Sequence, residues 1–426
     1  MCLLNSAYKV FAMVLLRRLL DAGADERMWK TQYGFRQGRS TEQALHCARR
    51  AIEAAQGLKH GRVHLLALDW AKAFDSISPA SLLLSLRRFG LPEHLLDIIS
   101  SIYSGRQFFV EECGVQSGHA AQHSGICQGC PLSPFLFGIV MTTLMTDAYQ
   151  LLDTDALQEH KDGALYDLLY ADDTLLLGST ACHVEELAVA ISQVGSNYGL
   201  SLHWQKTQAL SVCTSAQLHQ PDGSIIDDKG SLLYLGATLT SSAGSHSELS
   251  RRLGLGGSGF HALRKLWNHG NVSQRAKLHY FQSLVMSVLT YGLSTLAFTR
   301  VQKRRMDGFH ARCLRRILRI PAAFVSRVAN RVVFERAQVK PLSQQLLDRQ
   351  LLLFGRILRA GIGDPVRKYT LTDLDTNYFD AYIRRRGRPC TNWVDTIWKD
   401  GVEKFGSPQR FLDSMRTASH GRYSGD

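Results

Sequence analysis

Leu168-Leu169-Tyr170-Ala171-Asp172-Asp173-Thr174-Leu175-Leu176-Leu177 is the stretch on which the fold turns. Two apolar, strand-like runs flank a tight polar break, which predicts a β-hairpin with the acids at its tip. Adjacent ionised carboxylates repel each other, so a fold that holds them together usually has a divalent cation to share. Metal sites of this kind transfer phosphoryl groups. Taken alone, an acidic hairpin tip is more often a solvated turn, so its partners elsewhere in the chain decide its meaning.

A two-metal site wants a third acid from another segment. Asp69 is the natural candidate, because it ends the short apolar strand predicted at Val63-His64-Leu65-Leu66-Ala67-Leu68. If that strand lies beside the hairpin, Asp69, Asp172 and Asp173 converge at one end of a sheet, a rigid support for such a site. Asp75 is the rival, but it falls in the following turn and helix, where capping or a surface role is expected. Between the two acidic elements runs Gly125-Ile126-Cys127-Gln128-Gly129-Cys130-Pro131-Leu132-Ser133-Pro134-Phe135-Leu136-Phe137. Its glycines permit close approach of a ligand to the backbone. Gln128 offers a donor and an acceptor, and Ser133-Pro134 opens a strongly apolar helix. A binding loop ahead of a rigid helix suits a nucleotide or a template strand.

The chain has 426 residues, 45% hydrophobic and 20% charged, which suits a soluble globular protein of two or three domains and excludes a disordered one. The net charge of +13 hides an asymmetry. Residues 1–245 carry 18 Lys and Arg against 24 Asp and Glu, a balance of −6; residues 246–426 carry 32 against 13, a balance of +19. So large a basic excess favours polyanion binding through counterion release, and nucleic acid is the commonest polyanion. Nine irregularly spaced cysteines indicate reduced thiols and an intracellular protein, nuclear or cytoplasmic. Cys127-x-x-Cys130 has zinc-like spacing but no second Cys/His pair. Two stretches without charge, 113–146 and 278–299, contain Pro, Gln, His and hydroxyl residues and read as buried core; no membrane partner is expected.

Along the chain, periodicity predicts an α+β fold. The first 30 residues read as a helix, with Leu3, Val10, Phe11, Val14, Leu15 and Leu19 spaced for one apolar face; a turn over residues 32–41 and a helix capped near Ser40/Thr41 follow. Ser78-Pro79 opens a further helix that Gly90 closes. Helices are expected at 92–103, 133–151 and 184–198, with a late strand pair near 233–239. Past residue 245, the Gly-rich run Gly254-Leu255-Gly256-Gly257-Ser258-Gly259 reads as a hinge before Arg-rich helices. The segment 309–320 places Phe309, Cys313, Leu314, Ile317 and Leu318 on one face and arginines on the other. The expected division is 1–245, 246–322 and a basic region 323–426.

The order of these segments is recognisable. Asp69-x4-Phe74-Asp75, then Gln128-Gly129-x-Pro131-Leu132-Ser133-Pro134, then Tyr170-Ala171-Asp172-Asp173 resembles the palm of reverse transcriptases, in detail those of non-LTR (LINE-type) retrotransposons. Gln32-Tyr33-Gly34-Phe35-Arg36-Gln37-Gly38-Arg39-Ser40-Thr41 is similar to the family's fingers motif. Gly199-Leu200-Ser201-Leu202-His203-Trp204-Gln205-Lys206-Thr207 resembles its fourth palm motif, and Tyr234-Leu235-Gly236 its primer grip. The resemblance implies a right-hand polymerase: fingers and palm over 1–245, a helical thumb over 246–322, and a basic, mostly helical C-terminal segment over 323–426 that binds nucleic acid. It implies RNA-directed DNA synthesis from an RNA template, a DNA primer and dNTPs. Asp69, Asp172 and Asp173 would hold two Mg²⁺ ions, with Mn²⁺ as a substitute, and the carbonyl of Trp70 would complete one shell. Phe74 would lie beneath the incoming sugar and leave no room for a 2′-hydroxyl. Tyr170, Gln128 and Gly129 would border the nucleotide or template. Arg36 and Arg39 would meet phosphates, and Lys206 would protonate the leaving pyrophosphate.

Some positions depart from the pattern. His203 stands where the family often has Asn, and Leu3-Leu4-Asn5 resembles the middle of an early fingers motif. The reading is therefore of an N-terminally truncated element whose target-nicking nuclease, if any, is supplied elsewhere. A catalytically inactive, nucleic-acid-binding remnant is the alternative; an RNA-synthesising polymerase is the other, which Phe74 opposes. Arg386-Gly387-Arg388-Pro389 also resembles an AT-hook.

Overall fold

Alternating apolar residues build the sheet that carries the acids. A computed structural model describes residues 4–372, 383–386 and 391–417. Contacts sort the chain into two units: Met1–Ala44 with Gly61–Leu235, and Leu45–His60 with Gly236–Asp426.

The first unit is built on a four-stranded sheet of β1 (Val63–Leu68), β2 (Leu165–Tyr170), β3 (Asp173–Gly178) and β4 (Gln208–Val212). Its order is β2-β3-β1-β4, with every neighbouring pair antiparallel. The expected hairpin is the β2–β3 pair, closed at Tyr170 opposite Asp173. Leu66, Leu68 and Trp70 alternate onto one face with Leu165, Leu169 and Leu176, as a period of two requires. Two helices cover that face.

Helix Ser133–Gln150 is buried on nearly every side, as expected of a helix apolar all round. Its polar residues turn their hydroxyls onto the helix itself: Thr142 donates to the Gly138 carbonyl (2.8 Å) and Thr146 to that of Thr142 (2.8 Å). Among the described residues no helix is long and apolar enough to cross a membrane. Helix Ala181–Asn197 lies alongside, and Gly195 lets it approach so closely that a Cβ there would stand 2.8 Å from the Trp70 ring. Helix Pro79–Phe89 has the predicted ends: Ser78 caps the Ser81 amide (3.0 Å), and Gly90 leaves in the left-handed region at φ +93°. Helix Glu93–Tyr103 also forms as expected, whereas the N-terminal helix is shorter than read, Ser6–Asp21, and buries Ala12, Leu15 and Leu19 while Val10, Phe11 and Val14 are exposed.

The second unit is helical. One core runs from Leu249 through Trp267, Phe281, Leu289, Phe309 and Leu314 to Leu346. Helix Arg300–Ile317 buries Phe309, Cys313, Leu314 and Ile317 and exposes Arg304, Arg312 and Arg316 as the sequence predicts, but Arg315 departs from the pattern: it is buried and donates to the Pro321 (3.1 Å) and Val328 (2.5 Å) carbonyls. Helix Trp393–Phe405 is anchored by Trp393, whose indole donates to the Ser294 carbonyl (2.7 Å) and whose backbone amide donates to Glu53 (3.1 Å). The AT-hook-like core beyond Arg386 lies outside the described residues.

The Gly-rich hinge is corrected. Gly254–Gly259 sits in the interior of helix His246–Ala262. Packing overrides propensity here: Gly256 receives Leu289, whose atoms would lie 3.3–3.4 Å from an added Cβ, and Gly257 faces the Phe309 ring at 3.7 Å. Gly254 and Gly259 have open space. Replacing either of these two by Ala should therefore raise stability by about 1 kcal/mol through helix propensity alone. A raised thermal transition checks this; a lowered one would restore the hinge.

Candidate active site

The register between β1 and β3 pairs Leu68 with Thr174, which places Asp69, the next residue, beside the hairpin tip. The three predicted acids are thus brought together. Partial desolvation at the tip, then the charges of Asp172 and Asp69, push the Asp173 carboxyl up to about 6. Asp172 is also raised, by desolvation first and by Asp69 as well. This is the electrostatic signature of hard oxygen donors held close together, and it fits a divalent cation. Among the described residues no three His, Cys, Asp or Glu side chains already form a cage that could hold a metal ion. Asp69 instead has Lys206 for a partner, Nζ 3.6 Å from Oδ2.

Lys206 reaches that position because its segment is pinned to the strand end. The Ala71 amide donates to Ser201 (2.9 Å) and the His203 amide to the Asp69 carbonyl (2.7 Å), while Trp70 bridges to Leu202. Lys206 ends the short helical turn Trp204–Lys206. The Trp70 ring is buried, and its Nε1 donates to Thr174 Oγ1 (3.2 Å), whose hydroxyl in turn donates to the Asp172 carbonyl (3.1 Å). The side chain of Trp70 thus ties one acid-bearing strand to the other.

Phe74 stacks on the buried ring of Phe137, centroids 4.4 Å apart and 16° from parallel. The Ile126 amide donates to the Phe74 carbonyl (2.6 Å), and Gly125 closes on Asp75 so tightly that a Cβ would meet its Cα at 3.0 Å. Gln128 Nε2 donates to Asp75 Oδ1 (2.9 Å), and Gly129 turns the loop at φ +84°. Asp75 is therefore engaged by the loop, in the surface role expected of it.

The fingers motif behaves unevenly. Arg36 directs all five of its N–H donors inward, to both carboxylate oxygens and the carbonyl of Asp25 and to the carbonyls of Trp29 and Gln32. Arg39 lies over the Tyr33 ring, 5.6 Å from its centroid. Tyr170 approaches the exposed Phe35 ring at 6.5 Å.

Sequence reasoning places Gln32 and Gly34 in this motif but gives neither a role. Gln32 is fully buried, and its Oε1 accepts from the amides of Gly34 (2.8 Å) and Ala171 (2.9 Å). Nε2 donates to the Ala171 carbonyl at 3.3 Å. Ala171 itself has φ +58°, a left-handed conformation that costs an L-residue on the order of 1 kcal/mol.

Above pH ~6 the folded chain holds Asp173 ionised against its neighbours, whereas the unfolded chain ionises it at the ordinary aspartate value of 3.8. Its cost to stability therefore develops between those values and is complete above about 6. In metal-free buffer, Asp173→Asn should raise the melting temperature at pH 8 and leave it nearly unchanged at pH 3.5. Equal shifts at both pH values would remove this electrostatic account.

With the geometry in place, comparisons with known proteins are informative. A family model described as reverse transcriptase (RNA-dependent DNA polymerase) matches residues 1–239. The chain is 24% identical over 378 residues to the retrovirus-related Pol polyprotein from type-1 retrotransposable element R2 of Popillia japonica, covering 84% of this chain and 55% of that protein. It is 23% identical over 439 residues to the corresponding polyprotein of element R1 of Bradysia coprophila, covering 97% and 40%. A 165-residue match to the polyprotein of element R2DM of Drosophila melanogaster reaches 30% identity, covering 38% and 15%. The chain thus spans about half the length, or less, of these curated relatives. Among solved structures, apo telomerase from Candida tropicalis aligns at a TM-score of 0.42 and 11% identity, over 81% of this chain and 54% of that one. On the family match and these relatives, the chain belongs to the reverse transcriptase (RNA-dependent DNA polymerase) family, among relatives from non-LTR retrotransposable elements.

Proposed function

We propose that this chain extends a primer 3′-hydroxyl with dNTPs on an RNA template, using Asp69, Asp172 and Asp173 as the metal-holding set. The observation that carries the reading is the β1–β3 register, which delivers a third carboxylate to an already strained pair. Bound by these acids, two Mg²⁺ ions (or Mn²⁺) would supply Lewis-acid activation of the hydroxyl and neutralise charge on the triphosphate. The Trp70 carbonyl, next to Asp69, is a further oxygen for that shell.

Lys206 changes partner in this scheme. Its exposed ion pair with Asp69 contributes at most about 1 kcal/mol, so Lys206 can leave Asp69 at little cost. It is then free to donate a proton to the leaving pyrophosphate. Phe74, held flat by Phe137, excludes a 2′-hydroxyl, while Gln128, Gly129 and Tyr170 border the nucleotide and template. Arg36 braces the fingers through Asp25, and Arg39, over the Tyr33 ring, meets phosphate. Residues 246–322 act as the thumb and 323–426 as a basic extension, both gripping the template–primer duplex.

Primer extension on an RNA template with Mg²⁺ tests the proposal. Asp172→Ala should lower dNTP incorporation by at least about a hundredfold, the scale of losing preorganised charge stabilisation. Duplex binding with no extension by the parent chain would reduce the protein to a binding remnant. Phe74→Val should raise rNTP use relative to dNTP by about tenfold or more, since the site then has room for one hydroxyl; unchanged discrimination would refute the role given to Phe74.

The exposed arginines of helix Arg300–Ile317 give a separate measurement. Replacing Arg304, Arg312 and Arg316 together by Gln should reduce the slope of log affinity against log salt by about 2–3 for duplex nucleic acid. An unchanged slope would show that this face does not meet phosphates.

A further inference from the structure

We propose that Gln32 is a positioning residue: its amide sets the orientation of the Asp172–Asp173 tip and so the affinity of the site for a divalent cation. The inference rests on the assignment of those two aspartates as metal ligands.

The turn between β2 and β3 has only Ala171 and Asp172 between the paired residues Tyr170 and Asp173. Two-residue hairpin turns place positive φ in their centre and favour Gly or Asn there. This chain places Ala171 at φ +58° instead. Such a conformation persists only where the surroundings over-determine it. Gln32 is that surrounding. One buried amide accepts from the Ala171 N–H (2.9 Å) and donates to the Ala171 carbonyl (3.3 Å), so both polar backbone groups of the strained residue end on a single side chain.

The clasp is itself fixed. Leu169 donates to the Thr31 carbonyl (3.0 Å) and Tyr33 to the Leu169 carbonyl (2.8 Å), which makes Gln32 and Leu169 a parallel bridge against the end of β2. Next to it, Gly34 presses so closely that a Cβ would stand 2.3 Å from the Ala171 nitrogen. At its other end the segment is held by buried Asp167, two residues before Leu169, which accepts from Trp29 Nε1 (2.9 Å), Thr31 Oγ1 (2.5 Å) and the Tyr149 hydroxyl (2.8 Å). A fully buried Gln is expensive unless both ends of its amide are used. Here they are used on the residue that precedes the two acids. Rotating the Ala171 peptide would swing both carboxylates, and ligands displaced by fractions of an ångström lose their shared ion.

Gln32→Met keeps the volume and removes both contacts; Gln32→Glu keeps the acceptor for the Ala171 N–H and removes the donor. A matched control is Leu187→Ala, fully buried in helix Ala181–Asn197, which lowers stability without touching the tip. Mn²⁺ binding to the unliganded chain, read by electron paramagnetic resonance, is the readout besides activity. For Gln32→Met the Mn²⁺ Kd should rise about tenfold or more, the range seen when a supporting partner of a metal ligand is removed. In primer extension kcat should fall about as far, while KM for dNTP stays within about twofold. Gln32→Glu should lie between parent and Gln32→Met, and it carries the test should the latter not fold. Leu187→Ala should leave Mn²⁺ affinity near the parent value. Retention of parental Mn²⁺ affinity and kcat by a folded Gln32 variant would overturn the proposal, as would an equal loss in Leu187→Ala at the same melting shift. Mn²⁺ binding in the parent that Asp172→Asn does not weaken would instead overturn the metal assignment on which the inference rests.

Discussion

Electrostatic repulsion between Asp69, Asp172 and Asp173 is the constraint that the first unit is built to hold. Carboxylates left to themselves separate; here the antiparallel pairing of Leu68 with Thr174 and of Tyr170 with Asp173 leaves them no route apart. The leucine runs on either side do this by burial. Leu66, Leu68, Leu169 and Leu176 are almost wholly removed from water, and loss of one such side chain typically costs about 2–5 kcal/mol. Against this, an unfavourable charge interaction at a half-exposed tip is small. The sheet can therefore carry a strained, negatively charged end without being pulled apart by it.

The same logic explains why so many of the surrounding contacts end on backbone. The Asp69 carbonyl receives the His203 amide, the Phe74 carbonyl receives that of Ile126, and Ala171 is bound at both its polar atoms by Gln32. Backbone groups fix where a side chain starts, and buried hydrogen bonds of this kind are costly to leave unmade. The motifs along the chain are thus less a set of separate ligands than a set of clamps meeting at one sheet edge. Trp70 is the clearest case: its ring fills the space that Gly195 leaves, and its indole N–H reaches the Thr174 hydroxyl, so packing and polarity set the same geometry.

What could be read in the sequence follows from how local each cause is. Hairpin, strand ends and the Ser78–Gly90 helix are written in periodicity and capping within a few residues, and they form as read. Gly254–Gly259 reads locally as a hinge, yet Leu289 and Phe309, more than thirty residues away, select glycine for close helix packing. Arg36 has the composition of a phosphate-binding residue, but Asp25 and two nearby carbonyls take all of its donors. Gln32 is invisible in the opposite sense. Nothing in Gln32-Tyr33-Gly34 says that its partner lies at Ala171, because the contact exists only once the hairpin has formed.

That distinction separates two kinds of functional residue. The acids proposed as metal ligands are conspicuous as a set, because Asp69 ends one apolar strand and Asp172 and Asp173 interrupt another pair. The residues that aim them are uncharged, buried and distant in the chain, and they become legible through one strained torsion. An alanine at φ +58° between a tyrosine and two aspartates is more costly than a glycine there, and the fold supports it with an amide, a bridge from Gln32 to Leu169 and a buried carboxylate. Support on that scale for a two-residue turn has little to offer stability alone. It makes sense where the residues after the turn must face one way, toward the carboxylate that ends the neighbouring strand.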